Sequence, residues 1–309
     1  MGDERRFVII YNPAAGGRRA ARAAEHAVRI LQEGDRHAES VATHGHGHAE
    51  EIAARWSAMD GAETCVVACG GDGTVQEVVN GLLSAGAAPA ILGILPAGRC
   101  NDFARALGIP SDSAAAGRSL LGGETRSVDL GRAGGRYFCT VAAVGFDAVV
   151  SRYVNDHRLP LRGTSAYVFA TLRALWSYRT AEMVLSGDFG VYEGPVFLAA
   201  SGNTSSYGGA MRIAPDASPF DGWLRICLVT RIARWQVIPL LPRVMAGRHT
   251  RLSQVTMMNT RTIRIATAEG NGPMEVWADG EPMGTLPITI EAIPGAVQVI
   301  MPRGSSEES

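Results

Sequence analysis

The first third of the chain alternates short apolar runs with stretches whose apolar residues recur at helical spacing. The pattern predicts strands at residues 7–11, 39–42, 64–68 and 90–95, and helices at residues 18–31, 48–57, 75–83 and 101–107. Strands that alternate with helices are typical of a parallel sheet covered by helices. The N-terminal part is therefore predicted to be an α/β domain with a doubly wound parallel sheet.

The pattern changes near residue 132. Short alternating runs separated by glycines predict strands at residues 137–144, 181–186, 196–201, 223–230, 262–267, 274–278, 288–293 and 296–301. This pattern of short alternating runs favours a C-terminal antiparallel β-sandwich domain. Helical spacing interrupts it at residues 165–178 and 234–245, and the second segment contains two prolines that predict a kink or a break.

Composition narrows the chemistry. The 309 residues are 46% hydrophobic and 19% charged, as in a globular protein. The net charge of −1 gives the chain no general electrostatic attraction to nucleic acid. All 29 basic residues are arginine, which excludes a Walker A loop, a protein-kinase ATP lysine and Schiff-base chemistry. Five cysteines without metal-ligand spacing suit buried thiols in a reducing compartment. The N-terminus has no signal-peptide layout, and no apolar run reaches the length of a membrane span.

A glycine-rich turn follows the predicted strand at residues 64–68. Gly70, Gly71 and Gly73 surround Asp72, and Thr74 and Glu77 have the spacing of a helix capping box. A strand, a glycine turn and a helix N-terminus together predict a phosphate-binding cradle, because glycines allow close approach and the first helical N–H groups attract anions. The alternative is an ordinary tight turn, which the carboxylate between the glycines makes less favoured.

Two further turns are predicted at the same sheet edge, at residues 12–17 and 96–102. In open α/β sheets, ligands bind at the carboxyl ends of the strands. Three turns that converge on one edge indicate a ligand site there more strongly than any one of them alone.

Taken together, the motifs resemble the diacylglycerol kinase catalytic-domain family, which includes bacterial lipid kinases and sphingosine and ceramide kinases and is related in fold to NAD kinases. The resemblance rests on motifs spread over nearly the whole chain: residues 70–74 with Asn80-Gly81, residues 95–105, Asn12-Pro13 with Gly16, Thr43 with His48-Ala49, residues 128–131, residues 145–147, residues 207–209 with 213–215, Asp221-Gly222 and residues 279–281.

The resemblance implies a nucleotide-binding domain at residues 1–132, to which residues 295–303 return, and a β-rich lipid-substrate domain at residues 133–294. It also implies a reaction in which ATP, with Mg²⁺, gives its γ-phosphoryl group to a hydroxyl of diacylglycerol or a similar lipid. Such an enzyme is expected to be cytoplasmic, peripheral at the inner membrane face and without nucleic-acid partners, and the sequence leaves a homodimer open.

Residue by residue, the resemblance implies catalytic roles for Asp72 and for Glu281, which matches the glutamate proposed as general base. It implies metal binding by Asp72, Asp102 and Asp129. The remaining matched positions are implied to contact the nucleotide: Asn12, Gly16, Thr43, Gly70, Gly71, Gly73, Thr74, Gly98, Arg99, Asn101 and Asp279.

Simpler interpretations remain open for several carboxylates. Asp102 could be a helix N-cap, and Asp129 could be a turn carboxylate. Asp279-Gly280 is a favourable hairpin dipeptide that Glu281 could merely follow. The sequence also leaves undecided whether a structural Mg²⁺ binds near Asp221.

One position departs from the family pattern. The family usually has threonine or serine where this chain has Arg99. Arg99 could bind the phosphates as a cation, or it could fill the nucleotide pocket and leave a nucleotide- or lipid-binding protein with little catalysis. A soluble-substrate kinase of the NAD kinase type is the other alternative.

Two apolar helical segments could meet a membrane. Trp176, with nearby arginines at 152, 158, 162 and 173 and Tyr153, could face anionic headgroups or form a solvated helix face. Trp235 and its apolar neighbours at 237, 238, 240 and 241 could contact the bilayer or pack into the core.

Overall fold

A computed structural model of the protein describes residues 5–13, 15, 18–60, 63–84, 90–157, 164–209, 211–268 and 273–304. The chain divides into two compact units, one of residues 1–128 with 295–309 and one of residues 129–294. Gly16, Arg158 and Arg162, which the sequence singles out, lie outside the described residues.

The first unit is the predicted α/β domain. Its parallel strands lie in the order β2-β1-β3-β4. The strands are β1 (Arg6–Tyr11), β2 (Ala38–Ala42), β3 (Thr64–Gly70) and β4 (Ile91–Pro96), and the second half of the last strand of the chain, β16 (Ile288–Met301), pairs with β4. The helices are α1 (Arg19–Glu33), α2 (His48–Asp60), α3 (Asp72–Ser84), α4 (Asp102–Ala106) and α5 (Ser113–Gly122).

Burial explains why these residues form this sheet. Every residue of β3 is buried, as expected for an inner parallel strand covered on both faces. Helix α3 packs closely on α2, and Gly81 permits this approach because it has no side chain. A Cβ atom at position 81 would lie 2.2 Å from the Glu50 carbonyl oxygen. This packing fixes the direction of α3, whose N-terminus carries Asp72.

The second unit is built from antiparallel strands. Six of them form one sheet in the order β12-β11-β10-β7-β14-β15: β7 (Val141–Gly145), β10 (Leu198–Gly202), β11 (Leu224–Val229), β12 (Val255–Thr260), β14 (Glu275–Ala278) and β15 (Glu281–Thr285). The other strands are β6 (Arg136–Phe138), β8 (Ala181–Gly187), β9 (Gly190–Val196) and β13 (Thr262–Thr267). The first half of β16 and the second half of β5 (Glu124–Ala133), which begins in the first unit, also belong here.

The six-stranded sheet is covered on both faces. Ile226 and Leu228 of β11 face the sandwich core with β8 and β13, whereas Cys227 and Val229 face a second core. Three helices supply that second core: α6 (Phe146–Asp156), α7 (Thr164–Ser177) and α8 (Arg234–Met245). This double burial explains why the central strands β7, β10 and β11 are apolar at most positions.

The fold class is confirmed, and some element predictions are wrong. Helix α8 continues through Pro239 and Pro242, so of the predicted kink or break the structure excludes the break. Strand β16 continues through Pro294-Gly295, where two separate strands were predicted. Helices α5 and α6 and strands β5, β9, β12 and β15 were not predicted. Helix α6 was missed because its start continues the apolar run of β7, and only the positive φ of 92° at Gly145 ends the strand.

Candidate active site

Two loops at the carboxyl ends of β3 and β4 are joined into one structure. The carbonyl oxygen of Gly70 accepts hydrogen bonds from the N–H groups of Ala97 (2.8 Å) and Gly98 (3.0 Å). We call residues 70–74 and 96–102 the paired glycine loops. They bring together seven predicted nucleotide-binding positions: Gly70, Gly71, Gly73, Thr74, Gly98, Arg99 and Asn101.

Glycine at position 98 is required by the approach of the two backbones. A Cβ atom there would lie 2.4 Å from the Cα atom of Gly71 and 2.7 Å from Oδ1 of Asn101. A Cβ atom at Gly70 would lie 2.4 Å from Oγ1 of Thr74. Gly73 differs, because no atom lies within 4 Å of the place its Cβ would take. The space above Gly73, at the N-terminus of α3, is therefore open to a ligand.

Asn101 holds the second loop in shape. Its Oδ1 accepts a hydrogen bond from the Gly98 N–H at 3.0 Å, and its Nδ2 donates to the Gly98 carbonyl at 3.2 Å. Asn101 has a positive φ of 51° and is the residue that precedes α4. The interpretation of Asp102 as an N-cap is therefore wrong, since Asp102 is already in the first helical turn.

Asp72 links the two loops. It is the first residue of α3, and its Oδ1 accepts a hydrogen bond from the Phe103 N–H of α4 at 3.3 Å. Burial and then the neighbouring Asp102 carboxylate raise the pKa of Asp72 to about 6, although the Phe103 N–H opposes this rise. The predicted capping box is wrong, because α3 starts before Thr74 and Glu77 instead accepts from the Ala49 N–H at 3.1 Å.

Asp102 is the second carboxylate of this region. It is buried and forms an ion pair with the half-exposed Arg105 in the next turn of α4. Within the described part of the chain, no group of three or more His, Cys, Asp or Glu side chains is arranged to hold a metal. Asp72 and Asp102 could therefore supply one or two carboxylates to Mg²⁺ but not a complete coordination shell.

The ends of β1 and β2 carry two more predicted positions at the same sheet edge. Asn12 follows β1, and its carbonyl accepts from the Ala15 N–H at 3.0 Å. Thr43 follows β2, is buried, and donates its N–H to the Tyr11 carbonyl at 2.9 Å. Because the four strands are parallel, Asn12 and Thr43 lie on the edge that also carries the paired glycine loops.

Asp129 lies in the second unit and is engaged in a turn. Its Oδ2 accepts from the Gly222 N–H at 2.6 Å, and its own N–H donates to the Pro219 carbonyl at 2.8 Å. Asn203 donates to its carbonyl oxygen at 2.9 Å. These bonds favour the interpretation of Asp129 as a turn carboxylate. Asp221, next to this turn, accepts from Arg225 at 2.6 Å.

Glu281 follows a two-residue hairpin turn between β14 and β15. Asp279 and Gly280 have positive φ values of 52° and 88°, which are the values of a type I′ turn. The Asp279 carboxylate accepts from the Cys139 N–H, from the Thr140 N–H at 3.0 Å and from the Thr140 hydroxyl. These bonds fasten the hairpin tip and thereby hold the backbone of the half-buried Glu281 in one place.

Arg99 lies at the tip of the second glycine loop. Its side chain is exposed, unlike the buried Ala97 two positions earlier. An exposed guanidinium does not fill a pocket. The position therefore favours the interpretation of Arg99 as a cation available to phosphates.

The second unit contains an apolar cavity between its six-stranded sheet and helices α6, α7 and α8. Its empty volume is about 850 Å³, including space open to solvent. Apolar side chains make up most of its wall, among them Phe146, Phe197, Val237, Leu240 and Val255. A cavity with this apolar lining suits an aliphatic chain.

The cavity wall includes a polar pair that sequence reasoning missed as a site. The Tyr207 hydroxyl donates a hydrogen bond to Oδ1 of Asp147, in the first turn of α6. Burial raises the pKa of Asp147 to about 6, and the Tyr207 bond opposes this rise. Both residues belong to matched motifs, but nothing in the sequence shows that α6 brings Asp147 to an apolar cavity.

The loop geometry makes opposite predictions for two glycines. Gly98→Ala is expected to push the paired glycine loops apart, which should lower the stability of the first unit by about 1–3 kcal/mol and reduce kinase activity.

Gly73→Ala should leave the melting temperature unchanged or slightly raised, because the space beside Gly73 is open and alanine favours helices by up to about 1 kcal/mol. It should nevertheless weaken ATP binding if the phosphates occupy that space. Thermal melts and ATP titrations check both variants, and a destabilised Gly73→Ala or a fully stable Gly98→Ala would contradict the packing.

Comparisons with known proteins agree with this architecture. Residues 6–133 match the family model of the diacylglycerol kinase catalytic domain, and residues 140–301 match that of the YegS C-terminal NAD kinase beta sandwich-like domain. A Mycobacterium tuberculosis diacylglycerol kinase is 34% identical over 307 residues, which cover 96% of each chain. A Bacillus subtilis diacylglycerol kinase is 29% identical over 98% of this chain and 99% of its own. A crystal structure of a Bacillus anthracis diacylglycerol kinase has a TM-score of 0.73 at 24% identity over 98% of each chain.

These matches define the chain as a lipid kinase, an enzyme of the phosphotransferase class. It belongs to the diacylglycerol kinase family. In the part of the chain that the structure describes, no helix is long and apolar enough to cross a membrane.

Proposed function

We propose that this enzyme transfers the γ-phosphoryl group of ATP to a hydroxyl of diacylglycerol or a similar lipid. The observation that carries this proposal is the apolar cavity of the second unit. NAD is polar and charged along its whole length, and a wall of phenylalanine, valine and leucine side chains gives it few partners. The same wall fits an acyl chain, so the cavity favours a lipid over the soluble substrate of an NAD kinase.

The paired glycine loops fit the phosphates of the nucleotide. The first N–H groups of α3 have no partners within the helix, so they can donate hydrogen bonds to an anion. The space beside Gly73 is open, so phosphates can reach these N–H groups. Asp72 and Asp102 would hold Mg²⁺, since the mutual repulsion that raises the pKa of Asp72 is relieved by a cation. Mg²⁺ bound there would neutralise charge on the phosphates. We assign nucleotide binding to residues 1–132 with 295–303 and lipid binding to residues 133–294.

In the proposed reaction the lipid hydroxyl oxygen forms a bond to the γ-phosphorus, and the bond to the bridging oxygen of ADP breaks. The hydroxyl proton moves to the Glu281 carboxylate, which acts as general base. Asp279 is a positioning residue in this account, because its carboxylate fastens the hairpin that carries Glu281. Because the substrate is a membrane lipid, the enzyme works at the inner face of the membrane as a peripheral protein.

The direct test measures phosphate transfer from γ-labelled ATP to a panel of acceptors. The panel contains diacylglycerols of increasing chain length, a sphingoid base, ceramide, phosphatidylglycerol and NAD. We expect label in a lipid, with a rate that depends on chain length because the acyl chain fills the cavity. Label in NAD with none in any lipid would overturn the proposal.

A binding protein with little catalysis is the second candidate, and Arg99 is the residue that tests it. Since Arg99 is exposed, we expect Arg99→Thr to raise the KM for ATP by about 10- to 150-fold, the effect of losing a charged hydrogen bond. Arg118→Thr, an exposed arginine on α5, is the matched control. If Arg99→Thr instead tightened ATP binding or switched on a silent kinase, Arg99 would be an obstruction and the second candidate would be favoured.

A further inference from the structure

Helices α7 and α8 are apolar on two faces. Their inner faces are buried in the second unit, through Ala170, Ala174 and Leu175 on α7 and Val237, Leu240 and Val244 on α8. A surface helix of a soluble protein normally has a polar outer face. These two helices instead expose a stripe of apolar side chains: Phe169, Leu172 and Trp176 on α7, and Trp235, Ile238 and Met245 on α8.

The stripes follow helical spacing and include two tryptophans. Phe169, Leu172 and Trp176 are three and seven positions apart, so they lie on one side of α7. The exposed fractions are 82% for Trp176 and 73% for Trp235. Helices α7 and α8 contact each other, so the two exposed stripes are carried by neighbouring helices. A contiguous exposed apolar patch of this kind marks an interaction surface.

The patch is continuous with the mouth of the cavity. Val168 on α7 and Met245 on α8 both line the cavity, and both are about two-fifths exposed. The cavity therefore reaches the surface between the two helices that carry the apolar stripes. A lipid could pass from a bilayer against these helices into the cavity without crossing water.

The two chain segments that carry the patch contain arginines and no acidic residues. Residues 157–181, which include α7, contain four arginines and no Asp or Glu. Residues 222–268, which include α8, contain eight arginines and no Asp or Glu. The whole chain has a net charge of −1, so its acidic residues are concentrated elsewhere. Exposed arginines on or beside the two helices include Arg173, Arg243, Arg248 and Arg251.

The exposed tryptophans and the nearby arginines together indicate what binds to the patch. Tryptophans with arginines are typical of surfaces that lie at the lipid–water interface, where the rings enter the headgroup region and the guanidinium groups meet anionic lipids. A second copy of the chain is a poor occupant, since it would place two arginine-rich faces against each other.

We propose that the exposed faces of α7 and α8, together with Arg173, Arg243, Arg248 and Arg251, form an anionic-membrane docking surface that sets the cavity mouth on the bilayer. We call this surface the α7–α8 face. Entry of substrate through the mouth rests on the proposed lipid kinase function. Docking itself does not, and it can be measured without ATP.

The experiment compares binding of the full chain to two kinds of vesicle, in the absence of ATP and diacylglycerol. One kind is pure phosphatidylcholine, and in the other about one third is replaced by phosphatidylglycerol. We expect binding to the anionic vesicles that weakens as salt rises. Trp176→Ser with Trp235→Ser should weaken it by about tenfold or more. Arg243→Gln with Arg248→Gln should weaken it by about 25-fold, from about fivefold for each arginine near the surface.

Val191→Ser is the matched control, because Val191 is 71% exposed on β9, outside the α7–α8 face. It should bind like the parent. All variants should keep the parental melting temperature and should phosphorylate a short-chain, water-dispersed diacylglycerol at the parental rate, while the α7–α8 variants lose activity on vesicle-borne diacylglycerol.

The outcomes separate the two proposals. Parental vesicle binding by both double variants would overturn the docking surface, and so would equal binding to neutral and anionic vesicles. Self-association that the variants abolish, without any vesicle binding, would also overturn it in favour of a second copy. Vesicle binding that follows the expected order, with no lipid phosphorylated by any form, would support the docking surface and overturn the proposed function.

Discussion

Glu281→Gln is expected to lower kcat by about 10²- to 10⁴-fold while leaving the affinity for ATP nearly unchanged. The substitution removes a proton acceptor and keeps the size of the side chain. The hairpin should keep its shape, because its turn is made by Asp279 and Gly280 and is fastened to Thr140. Single-turnover rates and ATP titrations by calorimetry measure the two effects separately.

The control for this prediction is on the same hairpin. Glu275→Gln on β14 removes a carboxylate that accepts from Trp277 at 3.1 Å, and an amide oxygen can accept the same bond. We expect its rate to stay near the parental value. If Glu281→Gln weakened ATP binding and left single-turnover chemistry intact, Glu281 would have to be reassigned to positioning the nucleotide.

Asp72→Asn is expected to lower the kinase rate by more than about 100-fold, the scale of losing a principal electrostatic contributor. It is also expected to stabilise the metal-free protein at neutral pH. The pKa of Asp72 is raised in the folded protein from 3.8 to about 6, so the ionised side chain opposes folding above that range. Because the residue is half-buried, we expect a gain of about 1–2 kcal/mol, or a few degrees in melting temperature.

The sign of this stability effect depends on pH. Well below pH 3.8, its ordinary pKa, the Asp72 carboxyl is protonated in both the folded and unfolded states, so the advantage of asparagine should vanish there. Asp112→Asn is the control, since Asp112 caps α5 through the Ala115 N–H at 2.8 Å and an amide can replace it. A near-parental rate in Asp72→Asn would place the active site elsewhere. A destabilised Asp72→Asn at pH 7 would show that the carboxylate's bond to Phe103 is mainly structural.

A gain in stability with a loss of activity is the pattern of a site strained for function. Asp72 sits beside Asp102, whose carboxylate makes the ionised form of Asp72 less favourable. Selection for stability alone would favour replacing one of the two aspartates with an uncharged residue. The two carboxylates together make sense where a cation and phosphates occupy the same place.

The α/β order of the first unit was predicted from the sequence because it depends on local signals. Strands β1, β3 and β4 are short apolar runs that end just before Asn12, at Gly70 and at Pro96, and residues of these types interrupt secondary structure. The convergence of the turns on one edge follows from parallel topology alone. The hairpin at Asp279-Gly280 was likewise predicted from its dipeptide, because positive φ values are a property of those two residues.

Other features were decided only by tertiary contacts. Asp72 accepts from the Phe103 N–H, which is 31 positions away. The sequence predicted a helix at residues 101–107, but no local pattern shows that its first turn meets Asp72. Gly98 must be glycine because Gly71 approaches it, and that approach exists only after β3 and β4 pair. Continuous pairing carries β16 through Pro294-Gly295, since its first half pairs with β13 and its second half with β4.

The segment around Trp235 shows the same division. Sequence periodicity determined that residues 234–245 form an apolar helix, and left open whether its side chains pack inside or meet a membrane. Tertiary structure decided that Val237 and Leu240 are buried while Trp235 and Ile238 are exposed. The physical reason is that burial of apolar side chains is favourable on any face of a helix, so sequence alone does not select a face. The packing of α8 on the six-stranded sheet determines which face the protein itself can bury.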